Sequence, residues 1–293
     1  MMPDYHIGTL SEAARKYLAD GEQVPELTNE RRETFLQSKL WTKAVLSEKK
    51  TISWDARVFT FSLEHPEQSL GLPTGQHLMI RLRDPVTREA IIRSYTPISE
   101  ITDKGKVDIL VKVYFDRPGV KGGRMTLGLD ALPIGHGIDF KGPIGKFEYL
   151  GKGKCMVKGA ERTVKRFLMI CGGSGVTPVY QVFRAIMKDR EDTTQCLMLD
   201  GNRLIEDILC RDELDALELE GGGRGQVIHT LTQAPENWKG LTGRVDATLV
   251  RKHCPRIQGD GTMVLICGPE AMEKAMHKAL LGDGWTDDDM LFF

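Results

Sequence analysis

The sequence lacks the features that would place it in several protein classes. Its six cysteines include no C-x-x-C pair and its seven histidines form no H-E-x-x-H or H-x-H motif, so a disulfide framework, an iron–sulfur cluster or a protein-bound metal is not expected. Lys and Arg number 40 against 41 Asp and Glu, which argues against a nucleic-acid partner. No apolar run approaches the roughly 18 residues of a membrane span, and the first residues do not resemble a secretory signal. We therefore expect a cytoplasmic protein with reduced thiols that uses an organic cofactor or simple acid–base groups.

The chain divides into segments of different periodicity. At roughly 150 residues per domain, 293 residues predict about two domains. Residues 1–40 are polar and weakly patterned, which predicts a linker or surface arm. In residues 41–150 apolar and polar side chains alternate over short runs, which is typical of an antiparallel barrel or sandwich. Residues 151–162 are predicted to be a connector. Residues 163–293 alternate short apolar strands with helical spacing, which predicts a parallel, doubly wound α/β sheet.

Two segments of the first domain carry candidate binding groups. The segment Arg93–Thr96 follows an apolar strand, and its guanidinium, aromatic ring and hydroxyls could hold a flavin. The alternative is an edge-strand Arg and a core Tyr before a turn at Pro97. The segment Gly122–Thr126 predicts a helix opened by Thr126, whose unpaired N–H groups could bind an anion. The alternative is an ordinary helix cap.

Two glycine-rich turns follow predicted strands of the second domain. Gly172–Pro178 precedes an amphipathic helix, with Thr177 expected at the N-cap and Pro178 at the first helical position. Cys267–Met272 repeats the strand–turn–helix pattern. Such turns at the carboxyl ends of parallel strands can flank one crevice, although G-x-G-x-x-G is absent. Cys267 could sit beside a nicotinamide; the alternative, a buried structural thiol, is the commoner case for a single cysteine in a strand.

The motifs of the first domain resemble those of the cytochrome b5 reductase family, within the ferredoxin–NADP reductase-like superfamily. The family's flavin motif Arg-x-Tyr-Thr/Ser matches Arg93–Thr96, and its adjoining strand matches Val111–Phe115. Its Gly-Gly-Lys-Met-Ser/Thr motif matches Gly122–Thr126, with Arg124 in place of Lys.

The motifs of the second domain resemble the same family. Gly172–Pro178 matches Gly-Gly-Thr-Gly-Ile-Thr-Pro with Ser174 for the first Thr, and Cys267–Met272 matches Cys-Gly-Pro-Pro-x-Met with Glu270 for the second Pro. The resemblance covers residues 41–293. It implies an antiparallel, six-stranded FAD-binding β-barrel followed by a parallel, doubly wound NADP-binding sheet, in a flavin oxidoreductase that takes a hydride from NADPH onto FAD.

The resemblance also implies which residues contact the two cofactors. Thr96, Lys112 and Cys267 are the expected catalytic residues, nearest the reacting rings, and Lys112 is expected to orient the nicotinamide. The full set expected to bind cofactor is Arg93, Ser94, Tyr95, Thr96, Val111, Lys112, Tyr114, Phe115, Gly123, Arg124, Met125, Thr126, Gly172, Gly173, Ser174, Thr177, Arg203, Thr232, Arg244, Cys267, Gly268, Pro269 and Met272.

The choice of nicotinamide is predicted from charges around the adenosine ribose. NADH-preferring members of the family usually carry Thr-Leu-Asp where this sequence has Thr-Leu-Thr232. Loss of that carboxylate removes a repulsion on a 2′-phosphate, and Arg203 and Arg244 are candidate cations. We predict NADPH rather than NADH. The alternative is that these three side chains are solvated surface residues.

Within the family, the sequence resembles the C-terminal flavin modules of eukaryotic, fungal-type assimilatory nitrate reductases. The resemblance rests on Met2–Leu10 and on the ending Asp287–Phe293. It implies a cytochrome b5-type haem partner fused upstream, haem and molybdenum cofactors in domains outside this chain, and a homodimeric parent that reduces nitrate to nitrite. One alternative is a free-standing NAD(P)H–cytochrome b5 reductase, and another is a flavin-less dinucleotide- or partner-binding module. The terminal segment is expected to add a strand to the sheet rather than cover a flavin with Phe293, and His77 is expected on the barrel surface.

Overall fold

The computed structural model describes residues 33–84, 87–257 and 259–293. Its first sheet has six strands, all antiparallel, in the order β4-β3-β6-β1-β2-β5. The strands are β1 Thr42–Thr51, β2 Ala56–Ser62, β3 His77–Arg83, β4 Ala90–Tyr95, β5 Lys106–Lys112 and β6 Gly137–Ile144.

Alternation along these strands directs every second side chain to one shared core. Phe59 and Phe61 of β2 and Phe140 of β6 are fully buried in the same cluster, the arrangement of a barrel. Phe35, from the segment expected to be an arm, is also fully buried and meets the Phe140 ring edge-on at 6.1 Å. The last residues of that segment therefore belong to the barrel core, because two adjacent apolar side chains, Phe35 and Leu36, find a place in it. The prediction for residues 1–32 lies outside the described residues.

A small three-stranded sheet occupies the segment expected to be a connector. Its strands are antiparallel and run in the order β7 Phe147–Gly151, β8 Lys154–Val157 and β9 Ala160–Thr163. Phe147 packs edge-on against Phe167 of the following sheet, with ring centroids 6.1 Å apart. Residues 151–162 thus form paired strands instead of extended linking chain, and the domain limits stay a prediction.

The second sheet confirms the predicted α/β architecture. Its six strands are all parallel, in the order β13-β12-β11-β10-β14-β15. They are β10 Arg166–Gly172, β11 Gln195–Asn202, β12 Gly225–Leu231, β13 Leu241–Thr242, β14 Thr262–Cys267 and β15 Met290–Phe292. Together with the antiparallel barrel, this sheet gives the expected β plus α/β fold.

Helices cover both faces of the second sheet. Four are α2 Val176–Lys188, α3 Arg211–Glu220, α4 Ala247–His253 and α5 Glu270–Gly282, while α1 Arg124–Ala131 belongs to the barrel. Leu214 of α3 packs with α2 in one core cluster, and Val250 of α4 packs with Leu280 of α5 in another. Two cores on opposite faces make the sheet doubly wound. Among the described residues, no helix combines the length and apolar character needed to cross a bilayer.

A buried arginine joins the barrel to the second sheet. Arg184 of α2 is 5 % exposed, and its guanidinium donates hydrogen bonds to the carbonyl oxygens of Ile98 and Ser99. Its Nε lies 3.3 Å from the Glu100 carboxylate. These contacts hold α2, which begins at one of the glycine-rich turns, against the barrel.

Candidate active site

A cleft of about 990 Å³ lies between the barrel and the second sheet. On the barrel side it is lined by the ends of β4 and β5 and by the start of α1; on the other side it is lined by the turns after β10, β11, β12 and β14. From β10 the chain winds through β11 and β12 toward one edge of the sheet, while β14 lies on the other side of β10. The cleft therefore sits at the point where strand order reverses, the usual ligand position in open parallel sheets.

The cleft brings together the residues that the sequence motifs selected. Of the expected cofactor-binding set, every member except Phe115 lines it. Phe115 instead packs against Trp54, with ring centroids 6.2 Å apart. Adjacent residues in extended chain point to opposite sides, so Tyr114 faces the cleft and Phe115 faces away. The role assigned to each residue stays a prediction.

The barrel wall of the cleft combines a free cation with buried hydroxyls. Arg93 is exposed. Within the part of the chain that the structure describes, its guanidinium donates only to the neighbouring Ile92 carbonyl, at 2.7 Å. Burial raises the pKa of Tyr95 far above its ordinary value, so its hydroxyl stays protonated and can donate. Thr96, at the end of the same motif, is 7 % exposed.

The start of α1 differs in detail from the expectation. The helix begins at Arg124 with Gly123 as N-cap, and Thr126 is its third residue. The Thr126 hydroxyl donates to the Gly123 carbonyl and accepts from the Tyr114 N–H, both at 3.1 Å, so it ties the helix to the end of the barrel instead of capping it. A Cβ on Gly122 would lie 2.5 Å from the Tyr114 carbonyl oxygen, which explains the glycine.

Arg124 already has two acidic partners. Its guanidinium lies 3.0 Å from the carboxylates of Asp84 and Glu89. The side chain is 55 % exposed, so these ion pairs are weak and a phosphate could compete for the guanidinium.

Lys112 bridges the two halves of the molecule. Its ammonium lies 3.2 Å from Asp55 in the barrel and 2.6 Å from Asp207, in the turn that follows β11. Burial alone would raise the pKa of Asp207, but the hydrogen bond and charge of Lys112 outweigh burial and lower it. Lys112, expected only to orient a nicotinamide, therefore also holds the barrel to the second sheet beside the cleft.

We expect Asp207→Asn to destabilise the protein in a pH-dependent way. Because the folded-state pKa of Asp207 is lowered, its contribution is complete above the ordinary Asp value near 4 and is lost as pH falls through the lower folded value. The variant should be about 2 kcal/mol less stable than the parent at pH 7, and the difference should shrink below about pH 4. Denaturant unfolding between pH 3 and pH 7 measures the loss of stability and its dependence on pH. Glu206→Gln, at an exposed neighbour, is the control; a pH-independent difference for Asp207→Asn would contradict the prediction.

The turn after β10 begins its helix earlier than predicted. Residues Gly173–Gly175 form one turn of 3₁₀ helix, and α2 then starts at Val176 with Gly175 as N-cap. Thr177 and Pro178 are thus the second and third helical residues instead of the N-cap and first. Proline is tolerated there because the first four N–H groups of a helix have no partner within the helix. The Thr177 hydroxyl donates to the Ser174 carbonyl at 3.2 Å.

The turns after β10 and β14 touch each other through their backbones. A Cβ added to Gly175 would collide with the carbonyl group of Cys267 and lie 2.8 Å from the Cα of Gly268. Cys267 is half-buried. Burial, and to a smaller extent the charge of Glu273, raises the pKa of its thiol to about 12. The thiol therefore stays protonated at neutral pH and faces the cleft as a compact, weakly polar group.

The residues expected to select the nicotinamide follow three neighbouring strands, β11, β12 and β13. Arg203, Thr232 and Arg244 are exposed and line the same cleft. The Thr232 N–H donates to the Asn202 carbonyl at 3.1 Å, which fixes the turns side by side.

Several lining residues were not found from the sequence. His77 is half-buried on the cleft, where burial lowers its pKa, instead of lying on the outer surface. Asn202 and Asp207 also line the cleft. The position of Asn202 at the carboxyl end of a strand was a usable signal, whereas Asp207 was identifiable only through Lys112, 95 residues away.

The C-terminal segment adds an edge strand and also reaches the cleft. β15 pairs with β14 as expected, and the Phe293 N–H continues the pairing to the Ile266 carbonyl at 3.1 Å. The Phe293 ring lines the cleft and meets Phe147 edge-on at 6.0 Å. The strand and the cleft contact therefore coexist.

The residues present fit large phosphorylated cofactors. Five Lys or Arg side chains line the cleft against one carboxylate, that of Asp207. Gly173 has no heavy atom within 4 Å of where a Cβ would stand, which leaves its backbone open to a close ligand. Three or more His, Cys, Asp or Glu side chains in a metal-binding arrangement do not occur in the described part of the chain.

Comparisons with known proteins match both halves. The family model "Oxidoreductase FAD-binding domain" matches residues 43–149, and "Oxidoreductase NAD-binding domain" matches residues 169–278. Nitrate reductase [NADPH] of Leptosphaeria maculans is 56% identical over 100% of this chain, and that of Aspergillus niger is 55% identical over 100%. The chain spans 33% of the length of each. The crystal structure of the cytochrome b5 reductase domain of Ulva prolifera nitrate reductase is 37% identical, with a TM-score of 0.83 over 89% of this chain and 100% of that domain.

Proposed function

Because this chain belongs to the family of the cytochrome b5 reductase domains of nitrate reductases, we propose that it takes a hydride from NADPH onto bound FAD and passes the electrons singly to a haem partner. The observation that carries the proposal is the single cleft lined by the flavin-type motif of the barrel and by the glycine-rich turns of the second sheet. Two cofactors bound to opposite walls of one cleft would have their rings within reach of each other.

The residues of the cleft have separate tasks in this proposal. FAD, when bound, supplies the chemistry that accepts two electrons together and releases them one at a time. Arg93 binds its pyrophosphate, and Tyr95 and Thr96 contact the ring system and its side chain. Cys267 and Thr177 shape the floor on which the nicotinamide rests. Lys112 holds that wall at a fixed distance from the barrel.

NADPH is favoured over NADH by the charges at one end of the cleft. Arg203 and Arg244 are exposed there with Thr232 between the strand ends, and no ion pair joins either arginine to a described residue. A 2′-phosphate would meet two cations, and Asp207, whose carboxylate lines the same cleft, is already paired with Lys112. The two relatives described above are both named for NADPH, which supports the same choice.

The relatives support a proposal for the electron-accepting partner and for the overall reaction. We propose that a cytochrome b5-type haem domain, fused upstream in a longer homodimeric protein that also carries molybdenum cofactor, accepts the electrons and serves nitrate reduction in the cytoplasm. The relatives' threefold greater length supports fusion. A free-standing reductase that acts on a separate haem protein is the second candidate, because the cleft would be the same in both.

The test uses the purified chain reconstituted with FAD. We expect a yellow protein that NADPH bleaches in the absence of oxygen and that reduces an artificial one-electron acceptor, with NADH less efficient than NADPH. A chain that stays colourless would contradict the flavin assignment and favour a dinucleotide-binding module. Equal efficiency with both nucleotides would contradict the NADPH assignment alone.

Cys267→Ser is expected to lower kcat more than it changes KM. The smaller, more polar hydroxyl alters the floor under the nicotinamide, and misalignment of reacting rings costs rate instead of affinity. We expect kcat to fall about tenfold and KM for NADPH to change less than about threefold. Cys210→Ser is the matched control, since Cys210 is also half-buried but does not line the cleft. A normal kcat in Cys267→Ser would remove the thiol from this role.

A further inference from the structure

The carboxyl end of β11 carries a buried amide with an unused acceptor. Asn202 lines the cleft but is only 8 % exposed. Its Nδ2 lies 2.8 Å from Oδ2 of Asp200, while its carbonyl Oδ1 is buried with no hydrogen-bond partner among the residues that the structure describes. An unpaired buried acceptor is destabilising, and a donor on a bound molecule would relieve it.

The orientation of this amide is fixed from below by Asp200. Asp200 is 1 % exposed; its Oδ1 lies 3.4 Å from the Cys171 thiol and its Oδ2 lies 2.9 Å from Nδ1 of His229. Burial raises the pKa of Cys171 strongly, so the thiol is protonated and donates. The NH₂ group of Asn202 donates to Oδ2 of Asp200, because an amide carbonyl has no hydrogen to donate. The carbonyl oxygen of Asn202 therefore faces the other way.

Strand register explains why Asp200 acts through its neighbour. Cys267, Cys171, Asp200 and His229 stand side by side across β14, β10, β11 and β12. The next row of the sheet, with Gly172 beside Gly201, lines the cleft. Of the row that holds Asp200, only Cys267 reaches the lining, and Asp200 lies beneath it. It is a positioning residue, and Asn202 is the group that can touch a ligand.

The chemistry of the acceptor restricts the ligand group. Phosphate oxygens and carbonyls only accept, so they cannot satisfy Oδ1. The donors of a dinucleotide are its ribose hydroxyls, near the middle of the molecule, and the amino groups of its two bases, at the ends. Asn202 lies between the turns expected to hold the nicotinamide and the exposed Arg203, where the riboses and phosphates of a dinucleotide would pass. We propose that Oδ1 of Asn202 accepts a hydrogen bond from a ribose hydroxyl of the bound dinucleotide, with Asp200 holding the amide in place. The inference rests on the proposed use of NADPH.

The test combines Asn202→Ala with deoxy analogues of NADPH in the FAD-loaded chain. We expect the Kd for NADP⁺, measured by calorimetry, and KM for NADPH both to rise about tenfold, with kcat unchanged within about twofold. Analogues lacking the 3′-hydroxyl of the adenosine ribose, or the 2′- or 3′-hydroxyl of the nicotinamide ribose, identify the donor. With the parent protein, one analogue should have a kcat/KM about tenfold below that of NADPH. With Asn202→Ala, the same analogue and NADPH should have equal kcat/KM. Asn237→Ala, at an exposed asparagine away from the cleft, is the control.

The role of Asp200 is tested by non-additivity. Asp200→Asn lets the Asn202 amide rotate and exchange its NH₂ and carbonyl positions. By itself this substitution should therefore raise KM for NADPH about threefold, and in the Asn202→Ala background it should have no further effect. The inference would be overturned if Asn202→Ala left KM for NADPH unchanged. It would also be overturned if every deoxy analogue lost as much kcat/KM relative to NADPH in Asn202→Ala as in the parent. A parent protein that does not oxidise NADPH would count against the proposed function instead.

Discussion

Gly175→Ala is expected to reduce kcat/KM for NADPH on the order of 100-fold, because displacement of reacting groups by about 1 Å has an effect of that size. The added Cβ collides with the backbone carbonyl of Cys267 and stands 2.8 Å from the Cα of Gly268. Backbone atoms cannot rotate away as a flexible side chain can. The turns after β10 and β14 must therefore separate, and the floor of the cleft changes shape. Steady-state kinetics with an artificial acceptor, together with the flavin content of the variant, measure the effect.

Gly282→Ala provides the matched control for this substitution. Gly282 ends α5, and a Cβ there meets no heavy atom within 4 Å. The control should keep the parent's activity. The flavin binds mainly to the barrel in the proposed arrangement, so Gly175→Ala should remain yellow while its kinetics with NADPH collapse. Parent-like kcat/KM in Gly175→Ala would show that the two turns can move apart without consequence.

Thr232→Asp is expected to reverse the nucleotide preference. A carboxylate at this exposed position would face the 2′-phosphate, and two unit charges about 4 Å apart repel by about 1 kcal/mol at the dielectric constant of water and about 4 kcal/mol at an effective value of 20. We expect kcat/KM with NADPH to fall on the order of 100-fold, or about 2.7 kcal/mol at 1.36 kcal/mol per tenfold. The value with NADH should change less than about threefold, since NADH has no 2′-phosphate.

Salt and a neighbouring variant separate charge repulsion from structural damage. The loss with NADPH should diminish at high ionic strength, because exposed charges are screened. Gln233→Glu adds the same charge one residue along the chain, at an exposed position outside the cleft lining, and should have little effect. If Thr232→Asp lowered efficiency equally with both nucleotides, the residue would not select between them.

The fold and much of the cleft were predictable because their signals are local. Alternation in β2 and β3 and the apolar runs of β10 and β14 report burial residue by residue, which is enough to distinguish a barrel from a parallel sheet. Glycine-rich turns at strand ends mark the crevice of a parallel sheet. The sequence could not show that the turn after β10 takes three residues as 3₁₀ helix, because that geometry depends on its contact with the turn after β14.

The remaining differences between the sequence-based predictions and the structure come from ion pairs and hydrogen bonds between residues that are distant in sequence. Arg124 is paired with carboxylates 35 and 40 residues away, and Lys112 with one 95 residues away. No periodicity encodes such pairs, since they arise only when separate strands and turns meet. The direction of the Asn202 carbonyl has the same origin, because Asp200 and His229 stand on adjacent strands. The sequence by itself determined the two sheets, the order of the motifs and the glycines that let backbones approach. Only the tertiary structure decided which charges are neutralised and which polar atoms remain open to a ligand, because electrostatic and hydrogen-bond partners are set by distance in space.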